Sequence, residues 1–250
     1  MLDKTLALIM AAGYGRRMGN IDVPKVMLKD GRSRPFIDDA LTFLKYVDHS
    51  LDFAVMSRDE AFFEPLNSYL ADHPQSSRFD VVYQKTKPRS LAVAFVAEHY
   101  LNREFRRYTQ GYTNIALLPG DHKLTSEDLD LTDLMAAHER KEADITCVYS
   151  HGWSNGTEKR DMLTLDQDGR VVKIKRADSD NPEEEDYHRV TSTGIWVFKR
   201  ELIENPLHVI PALYRFMMKK EGGNRNLNIF PYFIEAGWSG GRDTPDTIGK

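Results

Sequence analysis

The chain has 250 residues, of which 41% are hydrophobic and 29% charged, and its formal net charge is −4. This composition is typical of globular proteins and excludes a disordered chain, a collagen-like repeat and a coiled coil. With 34 basic and 38 acidic residues, overall charge gives no reason to expect binding to nucleic acid or an acidic membrane. The longest apolar runs fall far short of the roughly 20 residues of a membrane span. A single cysteine, Cys147, excludes an internal disulfide framework and favours a reducing, cytoplasmic compartment.

Apolar runs that predict buried strands alternate with stretches of helical spacing through the first 150 residues. The predicted strands cover residues 5–12, 52–57, 79–83, 114–119 and 144–149, with a later one at 194–198. The predicted helices cover residues 36–47, 59–70, 90–108 and 126–138, the last with Ser126 as its N-cap. This alternation indicates βαβ units, and therefore an α/β fold with a mixed, mainly parallel central sheet flanked by helices.

After residue 149 the pattern changes from long alternation to short strands and a charged loop. Residues 162–165 and 170–175 predict a hairpin around Asp168-Gly169, a dipeptide that favours a tight turn. The acidic stretch at 178–186 then predicts a solvated loop. Since no repeat or low-complexity linker divides the chain, we expect one domain over residues 1–250, with a hairpin and acidic-loop region at about 150–190.

A glycine-rich loop, AAGYGRRMG, follows the first predicted strand at residues 11–19. Gly13 and Gly15 let a ligand approach the backbone, and a loop after the first strand is where open α/β sheets bind ligands. Its N–H groups can form an anion site to which Arg16 and Arg17 add two positive charges. The loop therefore predicts binding of a polyphosphate.

Three other interpretations of this loop are open. It lacks the Gly-Lys-Ser/Thr ending of a P-loop, which argues against Walker-type ATP binding. Gly13, Gly15 and Gly19 satisfy a pattern found in some nicotinamide-binding folds, but the acidic residues at a suitable distance, Asp38 and Asp39, fall in a predicted helix. A purely structural strand-to-helix turn is the third interpretation.

The sequence that follows the loop carries a family resemblance. The segment LIMAAGYGRRMGNIDVPKVMLKDG resembles the opening motif of the sugar-1-phosphate nucleotidylyltransferases, also called nucleotide-sugar pyrophosphorylases. Arg17 and Lys25 occupy the arginine and lysine positions of that motif, and Arg16 replaces its usual threonine. Three later segments resemble the family in the same order: residues 84–95 (QKTKPRSLAVAF), 117–124 (LLPGDHKL) and 192–198 (STGIWVF). The first of these has one residue inserted before Pro88, and Ser90 takes the glycine position.

Two segments depart from the family pattern. Where the family carries Glu-Lys-Pro, whose lysine holds the sugar phosphate, this chain has VVKIKRAD, and Lys175 or Arg176 is the nearest cation. Near residue 240 the common Trp-x-Asp-x-Gly-Thr-Pro becomes WSGGRDTPD. This segment is closer to the Trp-x-x-x-Asp-Thr variant of the glucose-1-phosphate cytidylyltransferases, with one residue added, and this resemblance makes Asp243 the candidate second metal ligand.

The resemblance implies a nucleotide-diphospho-sugar transferase fold and a Mg²⁺-dependent reaction of an NTP with a sugar-1-phosphate that yields an NDP-sugar and pyrophosphate. It implies catalytic roles for Arg17 and Lys25, and metal binding by Asp121 and Asp243. The residues that it places against the nucleotide are Ala11, Ala12, Gly13, Gly15, Arg16, Gln84 and Ser90, and those against the sugar phosphate are Lys175, Arg176 and Gly194.

Several alternatives remain open at this level. The two altered segments also fit a non-catalytic, nucleotide-sugar-binding regulatory subunit of the same fold, and a nicotinamide dehydrogenase is a third reading. Gln84 and the Asp-Thr ending favour a pyrimidine nucleotide, but the sequence does not identify the base or the sugar. The family is often oligomeric, so a homo-oligomer is one option, and its products feed polysaccharide synthesis.

Overall fold

The computed structural model describes residues 4–15, 21–29, 34–43, 51–86, 91–122, 129–153, 161–176, 188–205, 209 and 227–238. The strands are β1 Thr5–Met10, β2 Asp52–Ser57, β3 Asp80–Tyr83, β4 Asn114–Pro119, β5 Ile145–Trp153, β6 Asp161–Leu165, β7 Val171–Arg176, β8 His188–Lys199 and β9 Ile229–Trp238. The α-helices are α1 Ile37–Phe43, α2 Glu64–Ala71, α3 Leu91–Leu101, α4 Arg103–Thr109, α5 Leu131–Arg140 and α6 Arg200–Ile203. Short 3₁₀ helices cover Lys25–Met27, Ala61–Phe63 and Ser76–Arg78.

The uninterrupted apolar run of β1 reflects burial of both faces of the sheet. Successive side chains of a strand point to opposite faces, and Leu6 and Leu8 belong to one hydrophobic cluster whereas Ala7 and Ile9 belong to the other. Residues of α1, α2 and α5 pack in the cluster that contains Ala7 and Ile9, and residues of α3, α4 and α6 pack in the cluster that contains Leu6 and Leu8. Helices therefore cover both faces of the sheet, and the predicted α/β class is confirmed.

The central sheet has the strand order β3-β2-β1-β4-β8-β5-β9. β1 pairs parallel with β2 and β4, and β2 pairs parallel with β3. β8 runs antiparallel to both β4 and β5, whereas β5 and β9 are parallel. The sheet is thus mixed and mainly parallel, as predicted. It joins strands from Thr5 to Trp238 in one hydrogen-bonded structure, which supports the single domain that we propose for residues 1–250.

Strand β9 was not predicted from the sequence, and it contains a proline at position 231. Proline lacks an N–H group and is tolerated mainly on edge strands. β9 is the last strand of the sheet order, and Pro231 pairs with Cys147 of β5. The start of this pairing is strengthened by Asp144, whose Oδ2 accepts a hydrogen bond from the backbone N–H of Asn228 at 2.8 Å, 84 residues along the chain.

Two helix predictions differ from the structure. The helix expected over 90–108 is divided at Asn102, whose extended backbone ends α3 and whose side chain accepts hydrogen bonds from the N–H groups of Glu104 and Phe105 at the start of α4. The helix expected from Ser126 begins later: the N-cap of α5 is Asp130, which accepts from Thr132 and Asp133. Ser126 itself lies outside the described residues.

The predicted hairpin is present as β6 and β7, which pair antiparallel, and β6 also pairs with β8. The acidic stretch at 178–186 lies outside the described residues. Among the helices that the structure describes, none combines the length and the hydropathy needed to cross a bilayer.

Candidate functional site

The loops that follow the four parallel strands meet where the order of the sheet reverses. β2 and β3 lie on one side of β1, and β4 lies on the other. In open α/β sheets, ligands bind outside the carboxyl ends of the strands at such a reversal. Met10 at the end of β1 pairs with Pro119 at the end of β4. The glycine loop after β1 and Asp121 after β4 therefore leave the sheet side by side.

The first residues of the glycine loop are attached to strand β2. The backbone N–H of Ala11 donates to the carbonyl of Met56 at 2.9 Å, and the carbonyl of Ala12 accepts from Arg58 Nε at 3.2 Å. These contacts fix the start of the predicted phosphate-binding loop. Arg16 and Arg17, which the sequence assigned to the phosphates, lie outside the described residues.

The two glycines of the described loop differ in whether the backbone conformation and the packing require a glycine. Gly15 has φ +64°, in the left-handed region, and a Cβ atom there would lie 2.7 Å from Ile21 Cδ1 and 3.0 Å from Lys25 Cβ. A Cβ atom on Gly13 would meet no described atom within 4 Å, and Gly13 is not among the glycines with positive φ. Gly15 is therefore required by backbone conformation and packing against Lys25, whereas the surface at Gly13 leaves room for a ligand.

Lys25 and Asp121 form an ion pair at this edge of the sheet although they are 96 residues apart. Lys25 begins the 3₁₀ helix that follows Pro24, and its Nζ donates to Oδ2 of Asp121. The Lys25 side chain is 11% exposed and that of Asp121 20% exposed. The structure thus brings together the residue assigned to the phosphates and the residue assigned to the metal.

The charge state of Asp121 is set by two opposing effects. Burial by itself would raise the pKa of the Asp121 carboxyl, but the electrostatic effects of His122 and Lys25 and the hydrogen bond from Lys25 lower that pKa more. The net result is a pKa below the usual range of aspartate. Asp121 is therefore ionised at neutral pH and is able to bind a cation.

His122 was not identified as a functional residue from the sequence, although it follows the candidate metal ligand directly. Its Nδ1 lies 2.9 Å from the carbonyl oxygen of Thr193, so Nδ1 carries the donated hydrogen, and Nε2 lies 3.8 Å from Oδ1 of Asp121. Gly194 adjoins this ring: its φ is +76°, and a Cβ atom there would lie 3.5 Å from His122 Cε1. The residue predicted to contact the sugar is therefore close to the Asp121 loop.

The segment that begins at Gln84 continues β3 toward the same edge. Gln84 is buried, its backbone N–H donates to Ser57 O at 2.8 Å, and its side-chain Nε2 donates to Thr86 O at 3.0 Å. The side-chain amide assigned to the nucleobase is thus engaged within its own segment. Ser90, the other candidate of this segment, lies outside the described residues.

Two buried charged residues that no sequence motif marked hold the loops around the site. Arg58, directly after β2, is 1% exposed and donates to the carbonyls of Ala12 and Thr86 and to Glu60. Glu98 of α3 is fully buried and accepts from the backbone N–H groups of residues 85 and 86, each at 2.8 Å. The only signal in the sequence was a charged residue at the end of an apolar strand or within an apolar helix.

The remaining candidates are described incompletely. The backbones of Lys175 and Arg176 lie at the end of β7, opposite Met162 and Asp161 of β6, but their side chains are outside the part that the structure describes. Asp243 also lies outside it. Among the described residues, there is no group of three or more histidine, cysteine or acidic side chains that could hold a metal ion. Of the two metal candidates, Asp121 is the one that lies within the described residues.

This arrangement can bind anions against cations and open backbone, and it can present a carboxylate to a divalent ion. Residues 6–224 match the family model named Nucleotidyl transferase. A structure described as a putative glucose-1-phosphate thymidylyltransferase from Bacillus anthracis in complex with a sucrose is 14% identical, with a TM-score of 0.64. The match covers 98% of this chain and 92% of that one, and it concerns the fold. No curated protein matches the sequence.

Proposed function

Since this chain belongs to the nucleotidyl transferase family, we propose that it joins an NTP to a sugar-1-phosphate, giving an NDP-sugar and pyrophosphate. The observation that carries the proposal is the convergence of Lys25, Asp121 and the open backbone at Gly13 on the reversal point of the sheet. This arrangement offers cations, N–H groups and a metal-binding carboxylate at one place, which is what a reaction between two phosphate anions needs.

In the proposed reaction, an oxygen of the sugar-1-phosphate attacks the α-phosphorus of the NTP. The new bond joins that oxygen to the α-phosphorus, and the bond from the α-phosphorus to the oxygen that bridges the α- and β-phosphates breaks. That oxygen keeps the electron pair and leaves as a terminal oxygen of pyrophosphate. The attacking oxygen is already ionised, so the reaction requires no nucleophilic side chain and no general base. Catalysis then rests on positioning and on neutralisation of negative charge, as in other phosphoryl transfers.

Lys25 has the central part in this scheme. Its Nζ is buried and bound to Asp121 in the free protein, and an α-phosphate oxygen competes with that carboxylate for the same ammonium group when NTP binds. The exchange replaces one anion by another beside Lys25, so the ammonium stays paired. Arg17, Arg16 and the backbone of Ala11, Ala12, Gly13 and Gly15 would hold the β- and γ-phosphates in this proposal.

Asp121 fits one position in the coordination shell of Mg²⁺. That ion prefers oxygen ligands and is commonly held by one or two carboxylates together with substrate phosphates, and the lowered pKa of Asp121 keeps its carboxylate ionised. We include Asp243 as the second ligand on the strength of the sequence resemblance alone. When bound, the ion would offset charge on the phosphates.

The remaining substrate contacts follow the family resemblance. Gln84 and Ser90 would contact the base, and Lys175 or Arg176 together with Gly194 would contact the sugar phosphate. A pyrimidine nucleotide, and a reaction like that of the glucose-1-phosphate cytidylyltransferases, is our preferred assignment because of the Asp-Thr ending at residues 243–244. Nucleoside triphosphates are cytoplasmic metabolites, so the proposal includes a cytoplasmic location and a role in supplying polysaccharide synthesis.

The test of this function is release of pyrophosphate with Mg²⁺ across a grid of NTPs and sugar-1-phosphates. Release that requires one NTP and one sugar phosphate together supports the transferase and identifies both substrates. If no combination of substrates releases pyrophosphate, while calorimetry still detects binding of a nucleotide sugar, the result would instead favour the regulatory subunit. Binding of NADH in a fluorescence titration, with no pyrophosphate release, would favour the dehydrogenase.

The two loop glycines provide a matched pair of variants. Gly13→Ala is expected to raise the KM for NTP by about tenfold with little change in Tm, because a methyl group there occupies the surface at which phosphates approach the backbone. Gly15→Ala is expected to lower the free energy of unfolding by about 1–2 kcal/mol, because alanine is strained at φ +64°. Steady-state kinetics and urea unfolding of both variants check the prediction, and an unchanged KM for Gly13→Ala would contradict it.

A further inference from the structure

Arg58 touches both segments of the proposed nucleotide site, yet it belongs to no recognised motif. We propose that Arg58 is a positioning residue that fixes the separation between the glycine loop and the segment from Gln84 to Thr86, and thereby sets the affinity for NTP. This inference rests on the proposed function, in which the phosphates lie at the glycine loop and the base lies at the segment after β3.

The contacts of the guanidinium group carry the inference. Nε donates to the carbonyl of Ala12 at 3.2 Å, and Nη2 donates to the carbonyl of Thr86. Nη1 donates to Glu60 Oε1 at 3.1 Å, and the central carbon lies 5.0 Å from the centre of the Tyr14 ring. One rigid group therefore contacts two positions of the glycine loop and one position of the segment after β3.

Only arginine among the side chains can make this set of contacts. Its planar fork presents donors in fixed directions, so two carbonyl groups bound to it are held at a defined distance from each other. A lysine ammonium is a single point on a flexible stem and fixes no such distance. Burial of a charge is unfavourable unless it is paired and hydrogen-bonded, and here Glu60 and the two carbonyls satisfy that requirement.

Each of the two segments also has an anchor of its own that does not involve Arg58. The N–H groups of residues 85 and 86 donate to Glu98 of α3, and the N–H of Ala11 donates to Met56. Asn67 of α2 donates to the carbonyl of Arg58 at 2.9 Å, which holds the end of β2 in place. Loss of the guanidinium therefore leaves both segments attached and removes mainly the connection between them.

This division of contacts predicts a selective kinetic effect. Arg58→Lys should raise the KM for NTP by about tenfold or more, the effect of losing one or two charge-assisted hydrogen bonds that organise the site. The KM for the sugar-1-phosphate should stay within about twofold and kcat within about threefold, because the reacting groups are unchanged. Arg58→Met, which removes the charge, should raise the KM for NTP further.

A control separates positioning from general loss of stability. Leu134→Ala removes a fully buried side chain of α5, a helix that packs near β9 at the opposite end of the sheet from β2. It should lower Tm while leaving the KM for NTP unchanged. Both KM values are measured for the parent and the three variants at a temperature well below the lowest Tm, and NTP binding is measured directly by calorimetry.

The outcomes distinguish this inference from the proposed function. A selective rise in the KM for NTP in Arg58→Lys supports the positioning role. If the parent is active and Arg58→Lys has the same KM for NTP as the parent, the positioning role of Arg58 is wrong and the transferase function still holds. The same conclusion follows if Arg58→Lys raises the KM for NTP and the KM for the sugar-1-phosphate equally. It also follows if Leu134→Ala raises the KM for NTP as much as Arg58→Lys does. If the parent binds NTP without releasing pyrophosphate, the transferase fails and the calorimetric Kd decides the role of Arg58. A parent that binds no NTP overturns both.

Discussion

Asp121→Asn is expected to lower the turnover of nucleotidyl transfer by at least about 100-fold, the size typical of losing a main electrostatic stabiliser. Asparagine has nearly the shape of aspartate, so packing beside Gly120 is preserved, but its amide carries no negative charge. It can neither neutralise Lys25 nor bind Mg²⁺ as a carboxylate does. Pyrophosphate release at saturating substrates measures the loss directly.

The matched control for this variant is Asp72→Asn, at the exposed C-terminal end of α2. It changes the net charge by the same amount and should leave turnover unaltered. The two proteins should also be compared by thermal unfolding, because Asp121→Asn removes the carboxylate that pairs with the nearly buried Lys25 ammonium. Turnover of Asp121→Asn equal to that of the parent would show that Asp121 has no part in metal binding or catalysis.

Lys25→Met is expected to lower turnover by a similar factor, at least about 100-fold, because the α-phosphate loses the cation beside it while charge develops. Methionine retains most of the length of the apolar stem that packs at Gly15. Lys29→Met, four residues later and exposed, is the control for removal of one positive charge. If Lys25→Met retained turnover comparable to that of Lys29→Met, the assignment of Lys25 to the reacting phosphate would be wrong.

The same variant tests the ion pair in the metal-free protein. The folded-state pKa of Asp121 is lowered, so its stabilising contribution is present above the unfolded value of about 3.9 and is lost as pH falls through the lower folded value. Without Lys25, burial still opposes ionisation of Asp121, but one of the interactions that offset burial is gone. The contribution of ionised Asp121 to the free energy of unfolding therefore becomes smaller. The difference in unfolding free energy between parent and Lys25→Met should therefore be largest at neutral pH and diminish in acid, as urea unfolding in EDTA can determine.

The sequence was most informative where a pattern depends on burial alone. A strand covered on both faces must be apolar throughout, and this made β1, β2 and β4 easy to predict. β9 was missed because Pro231 argues against a strand, and only its position at the edge of the sheet makes proline acceptable. The break at Asn102 was missed because the apolar spacing of α3 continues into α4, while the cap is made by one polar side chain.

The site residues that belong to a contiguous motif could be predicted from the sequence. The residues that reach the site through tertiary contacts could not. Lys25 and Asp121 were identified separately, but their direct ion pair depends on the register that places the ends of β1 and β4 together. Arg58 follows an apolar strand and Glu98 lies within a largely apolar helix. The bonds by which they hold the loops go to backbone groups, which have no signature in sequence. The functional roles stay predictions for Arg17, Ser90, Lys175, Arg176 and Asp243.

The pairing of β5 with a strand that begins more than 80 residues later has a consequence for how the chain is made. Asp144 and Asn228 are separated by 84 residues, which a ribosome adds in about 4–17 seconds at roughly 5–20 residues per second. During that interval β5 has a free edge able to pair with another nascent chain. Contacts this distant in sequence also close slowly. Folding yield should therefore depend on how quickly synthesis reaches β9, and chaperones that shield strand edges should raise it.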